Sequence, residues 1–221
     1  VVEAAQVFSR KCSREVKNLS FSSNVKSELS HHFGNARHCN IAELSAILNM
    51  CGHIANNGEK FCVKIQTENP AAARKYFTLL KKTFNIDSEV LTRRNSQLKK
   101  NMVYMLFINN KQQAEKMLQA CGILKFENGR GRISNNIDEL VVNSVCCKRA
   151  YIRGAFLAAG SISDPEKMYH LEFACSSEAC SEDLRDLINS FGLEAKIVMR
   201  KEHYVVYLKE GEQIVDMLNI M

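Results

Sequence analysis

No apolar run in this 221-residue chain approaches the ~20 residues that a helix needs to cross a bilayer. The chain does not open on a charged segment followed by an uninterrupted apolar core, the pattern that directs secretion. A paired-cysteine framework is missing too: the nine cysteines are odd in number and irregularly spaced, which suits reduced thiols in a core. A soluble cytoplasmic protein without membrane association is therefore expected. No CxxC pair occurs, Gly129-Arg130-Gly131 is too short for a phosphate loop, and no nucleophile stands in a recognisable pattern with a base. These gaps argue against a cofactor, a small-molecule substrate and an enzyme.

What the chain does have is a hydrophobic fraction of 46%, enough for a folded core, and an uneven charge. The net charge is +6, but residues 1–160 carry 24 Lys and Arg against 12 Asp and Glu, while residues 161–221 carry 6 against 12. A basic body with an acidic end points to a polyanionic partner, because lysine and arginine near phosphates gain from counterion release.

The stretch Tyr151–Ser163, YIRGAFLAAGSIS, places Gly154, Ala155, Ala158 and Gly160 along a short apolar helix. Gly154 and Ala158 are four apart and share a face, so another backbone can approach closely. Leu44–Gly52, LSAILNMCG, is its natural partner, with small Ser45 and Ala46 near the start and Gly52 at the end. Asn40 followed by Glu43 reads as a capping box that opens this partner helix. Upstream, FSSNVKSELSHHF carries Val25, Leu29 and Phe33 on one helical face, with Ser22 or Ser23 as cap and Gly34 as stop.

The likeness continues beyond these helices. Each is followed by a Glu-Lys turn (Glu59-Lys60, Glu166-Lys167) and a strand pattern, 61–67 and 169–176. A helix follows in each case, 70–84 and 178–191, in which Phe77, Leu80 and Phe84 match Leu184, Leu187 and Phe191 at one constant offset of 107 residues. Two further strands close each unit, 86–94 and 102–108 in the first, 193–201 and 204–209 in the second, and a short helix ends it. The chain is thus expected to be α+β, with two αββαββα repeats related by a pseudo-two-fold axis and their strands joined in one continuous saddle. The expected divisions are an extension at 1–20, a helix and first repeat at 21–126, a glycine-rich basic linker with a helical stretch at 127–148, and a second repeat at 149–221.

Two glycine-ended helices, each followed by strand, strand, helix, resemble the LAGLIDADG homing-endonuclease fold. The run RGAFLAAGSISDPEKMYHLEF at 153–173, with FSSNVKSELS at 21–30, is similar to the signature of the WhiA family of sporulation and cell-division regulators. The resemblance spans residues 19–221. It implies a DNA-binding transcriptional regulator that acts in sporulation, cell division and chromosome segregation and associates with the nucleoid. The family's C-terminal helix-turn-helix domain does not follow Met221 in this sequence.

In the nucleases that share the fold, the eighth residue of each motif is acidic and holds magnesium. Here those positions are Cys51 and Ala159, a soft thiol and a methyl, so no nuclease is expected. Glu59, Asp164 and Glu166 lie beyond the helices and read as turn residues. Double-stranded DNA is the expected partner. Its candidate contacts are Lys64, with Gln66 on the same strand face, Arg93, Arg94, Lys99 and Lys100 in the first repeat; Arg130, Arg132 and Arg149 near the linker; and Arg200 and Lys201 in the second repeat. The alternative is a protein-interaction platform for a sigma factor or division protein, with DNA held by the helix-turn-helix domain. The crowded His31, His32, His38 and Cys39 match no common zinc spacing, and vicinal Cys146-Cys147 read as small core residues, so no metal is expected.

Overall fold

The computed structural model describes residues 20–56, 61–94, 102–127, 130–201 and 203–221. Lys99, Lys100, Glu59 and most of the N-terminal extension lie outside them. After a leading helix α1 (Phe21–His31), the first repeat runs α2 (Arg37–Cys51), β1 (Gly52–Asn56), β2 (Phe61–Thr67), α3 (Pro70–Phe84), β3 (Glu89–Arg94), β4 (Met102–Ile108) and α4 (Lys111–Ala120). A hairpin of β5 (Leu124–Glu127) and β6 (Arg130–Ile133) follows. The second repeat is α5 (Val145–Ala159), β7 (Gly160–Ile162), β8 (Leu171–Cys175), α6 (Glu178–Asn189), β9 (Lys196–Arg200), β10 (His203–Leu208) and α7 (Gly211–Ile220).

The strands form two separate four-stranded antiparallel sheets, β1-β2-β4-β3 and β7-β8-β10-β9, rather than one continuous ladder. Continuity fails because the repeats meet through helices, and no strand of one sheet pairs with the other among the described residues. Within each sheet, alternate residues face the helices. Val63 and Ile65 of β2 and Leu171, Phe173 and Cys175 of β8 are buried.

Several local expectations shift. The cap of α1 is Ser20, whose hydroxyl accepts from the Ser23 amide (3.3 Å); Ser22 and Ser23 are already helical, and the helix closes at His31 rather than at Gly34. Helix α2 starts at Arg37, so Asn40 is no cap. Both Asn40 and Glu43 point inward and are buried, where a capping side chain could not reach the free amides. The strand pattern at 86–94 begins only at Glu89, since Asn85 (φ 55°) turns the chain and Ile86 plugs the core. At 193–201 the strand begins at Lys196, because the Asn189 side chain holds both the amide (2.7 Å) and the carbonyl (3.4 Å) of Ala195. The segment between the repeats carries a hairpin, and its helix begins at Val145. Gly122 (φ 72°) makes the turn into that hairpin, where a Cβ would lie 2.3 Å from that of Asp138.

Helices α2 and α5 run alongside each other at the centre. A Cβ on Gly154 would stand 2.4 Å from the Glu43 carbonyl oxygen and 3.1 Å from the Ala46 Cβ, so the backbones touch there. The two cores interlock across this contact: Ala42 and Ala46 of α2 join the core of the second repeat, and Leu157 of α5 joins that of the first. Such an exchange makes each repeat's packing depend on the other's helix.

Candidate nucleic-acid interface

The central helices place small side chains in different roles. Ala46 and Gly154 form the close approach, and Ala155 is buried in the second core. Ala158 is half-buried, and Ser45 turns to its own repeat, donating to the Cys121 carbonyl (2.7 Å). Gly52 and Gly160 serve the exit from helix to strand: a Cβ would strike the Leu48 carbonyl (2.4 Å) or the Phe156 ring (2.3 Å).

A buried ionic group, not legible in the sequence, locks the pair. Arg153 of α5 donates from Nε to Glu43 Oε1 (3.2 Å) and from Nη2 to Oε2 (3.1 Å), and from Nη1 to the Met221 carbonyl (2.9 Å). Lys75 of α3 completes it, with Nζ on Glu43 and on the Leu29 carbonyl (2.8 Å). All three charged side chains are buried. Burial pulls the Lys75 ammonium down to about 8 despite Glu43, and burial, then Arg153 and Lys75, pull His32 below its usual value. The available signal was position: Glu43 and Arg153 each interrupt an apolar helical run, which places them on an inward face.

At the strand-bearing ends of these helices sit Cys51 and Ala159, both half-buried. The Cys51 thiol donates to the Ile47 carbonyl (3.2 Å), and burial pushes it up to about 12, so it is neutral at physiological pH. Lys26 of α1, held down to about 8 by burial and placed 5.9 Å from the Phe156 ring centre, faces the same region. A neutral thiol, a methyl and a nearby lysine do not fit a magnesium site, which needs several hard oxygen donors. Asp164 and Glu166 remain in a turn, where Asp164 accepts from the Glu166 amide (3.2 Å) and pairs with Lys167 (3.8 Å).

The outward face of the first sheet carries a basic set. Lys64 on central β2 lies opposite His53 and Phe107; Gln66 follows on the same face. Arg93 on edge strand β3 faces Val103, and Arg94 ends the strand opposite Met102. Arg93 and Arg94 are exposed, and none of the three cations is paired with a carboxylate among the described residues. In the second sheet Arg200 is bonded to Glu172 (3.2 Å), which also holds His170 (2.9 Å), while Lys201 occupies the turn with φ 56°. Arg130 and Arg132 are exposed on β6, away from both four-stranded sheets in the ladder. Arg149 is tied to the carbonyls of Asn219 (2.8 Å) and Ile220 (2.9 Å), so it braces α7.

At the opposite ends of α2 and α5 the structure unites residues that the sequence leaves 107 to 109 apart. The ligand atoms of His38, Cys39, Cys146 and Cys147 all lie within 4.8 Å of one another, the one such grouping of three or more His, Cys, Asp or Glu among the described residues.

Paired glycine-ended helices over two four-stranded sheets define a LAGLIDADG-like protein. The fold is shared with I-DmoI G20S solved in complex with its target DNA (TM-score 0.59, 14% identity, 83% of this chain and 97% of that one). It is also shared with the homing endonuclease I-WcaI bound to its DNA recognition sequence (TM-score 0.56, 15% identity, 89% and 92%). The N-terminal LAGLIDADG domain of DUF199/WhiA superposes with a TM-score of 0.72 at 20% identity, over 93% of this chain and 92% of that one.

The family is narrower than the fold. Residues 37–124 match the WhiA N-terminal LAGLIDADG-like domain, and residues 148–221 match the WhiA LAGLIDADG-like domain. "Probable cell division protein WhiA" of Lachnoclostridium phytofermentans is 49% identical over 204 residues, covering 92% of this chain and 65% of that protein. Its counterpart in Alkaliphilus metalliredigens is 50% identical over 204 residues, covering 92% and 64%. The chain belongs to the WhiA family and spans just under two thirds of the length of these relatives. No helix among its described residues is long and apolar enough to cross a membrane.

Proposed function

We propose that this chain is a non-enzymatic, DNA-associated regulator of the WhiA type, acting in cell division, sporulation and chromosome segregation at the nucleoid. The observation that carries the reading is the outward face of the first sheet, where Lys64 and Arg93 stand without a described carboxylate partner and Arg94 adds a third charge at the edge. Such a face gains affinity for a phosphate backbone by releasing counterions, without reading bases. Catalysis is absent from the reading because Cys51 and Ala159 offer no oxygen ligand for magnesium, and supercoiled plasmid incubated with Mg²⁺ should stay intact.

Fluorescence anisotropy of a labelled duplex against salt is the test. Binding should weaken steeply with salt, with a log–log slope of about −0.9 per phosphate contacted, and glutamate at Arg93, Arg94, Lys99 and Lys100 should abolish it. Salt-insensitive binding, or binding that survives the four substitutions, contradicts the reading. A platform for a sigma factor or division protein is favoured by the second sheet, whose arginine is neutralised by Glu172 and whose Met199 is 62% exposed. Undetectable duplex binding at low salt would select that alternative.

A further inference from the structure

The two helices that meet at the pseudo-two-fold axis begin in the same way. At the offset of 108 residues that superposes Gly52 on Gly160, His38 falls on Cys146 and Cys39 on Cys147. Each pair lies in the first turn of its helix, α2 or α5. His38 Nδ1 is 3.0 Å from Cys147 Sγ and 3.4 Å from Cys39 Sγ, and Ser144 Oγ donates to Cys147 Sγ (3.2 Å). Neither helix has an acidic residue in its first turn or a side-chain cap, so the positive ends of both dipoles face the sulfur atoms.

We propose that His38, Cys39, Cys146 and Cys147 form a tetrahedral zinc site that clasps the starts of α2 and α5. Three thiolates and one imidazole are the donor set of structural zinc, whose bonds of about 2.0–2.3 Å put neighbouring ligand atoms roughly 3.3–3.8 Å apart. The four donors already lie within 4.8 Å of one another, so side-chain adjustment suffices to close the tetrahedron. The hard-ion alternatives do not suit sulfur ligands. His38 supplies Nδ1, the ring nitrogen that faces the sulfurs. A divalent ion lets the thiols ionise together, releasing protons as it binds.

Access and anchoring are both provided. Cys39 and Cys147 are buried and fix the inner half, while His38 and Cys146 are exposed. Cys39 and Cys146 also line a cavity of about 880 Å³ between α1, α5 and α7, which gives the ion an entry path. Because the ligands come from both repeats, the site adds a metal clasp to the packed helices, the buried ionic group and the Asn49–Tyr151 hydrogen bond that join the halves. It stands at the helix ends remote from Cys51 and Ala159, about 20 Å away for 15-residue helices, so it is a structural clasp and not a nuclease remnant.

The protein, reduced and stripped with a chelator under nitrogen, is titrated with Co²⁺ and then Zn²⁺. One Co²⁺ per chain should bind with the intense visible bands of a tetrahedral ion and a thiolate-to-cobalt charge-transfer band, and one equivalent of Zn²⁺ should displace it. Cys146→Ser and His38→Ala change exposed positions and should keep the native circular dichroism. Each should weaken Zn²⁺ by more than about 100-fold, beyond what loss of an outer-shell partner costs. Cys62→Ser, on a thiol outside the cluster, should change nothing. A spectrum without thiolate bands, stoichiometric binding that survives Cys146→Ser, or a metal-free disulfide among these cysteines in protein purified under reducing conditions overturns the proposal.

Discussion

Lys64 and Glu172 occupy equivalent places in the two sheets, each on a central strand between a short neighbour and a long one. Lys64 lies between His53 and Phe107, and Glu172 between Ser161 and Tyr207. Lys64 offers its charge outward, whereas Glu172 pairs with Arg200 and is hydrogen-bonded to His170. The same backbone therefore carries one face suited to a polyanion and one that is internally neutralised. Along the axis the repeats also diverge in chemistry: Glu43 is matched by Tyr151 and Ala46 by Gly154, and all four are buried. At the axis each difference is met by buried neighbours, and on the sheets solvent leaves charge free to vary.

The largest effect should come from unbalancing the axis. Glu43→Gln leaves Lys75 and Arg153 buried together without their carboxylate and should cost about 3–5 kcal/mol by urea unfolding. At the matching position, Tyr151→Phe removes only the acceptor of the Asn49 amide (3.0 Å) and should cost about 1 kcal/mol. Equal losses would show that the ionic group is no more important than a single hydrogen bond.

Next in size is the close approach. Gly154→Ala drives a methyl into the Glu43 carbonyl and should destabilise by about 1–3 kcal/mol, although alanine is the better helix former. Ala46→Gly, at its counterpart, should cost about 1 kcal/mol, chiefly through helix propensity. A stabilised Gly154→Ala would mean that the helices can part without penalty.

The smallest effect is on the sheets. Glu172→Lys gives the second face the charge of the first and frees Arg200. Duplex affinity at low salt should rise several-fold and the salt slope should steepen by about 1–2. No change would confine DNA contact to the first repeat or remove it from both sheets.

Much of this architecture was readable beforehand because it is local. Phe61–Thr67, Pro70–Phe84 and Met102–Ile108 have the boundaries that strand alternation and the apolar periodicity predict. The repeat was visible because equivalent helices keep their apolar residues at one offset. Asn40 misled because a capping box and an inward-facing polar pair share one spacing, and only the neighbours tell them apart. Arg149 looked like a phosphate contact until α7 supplied it with two carbonyls.

The sequence alone determined the periodicities, the repeat, the small residues that permit a close helix pair, and that Cys51 and Ala159 carry no carboxylate. Tertiary structure decided what each inward face meets. It brought Arg153 and Lys75 to Glu43, separated the strands into two sheets, and set His38 and Cys39 beside Cys146 and Cys147 across more than a hundred residues. The reason is physical: spacing along a chain fixes the direction in which a side chain leaves its helix or strand, but its partner is chosen by how the elements pack.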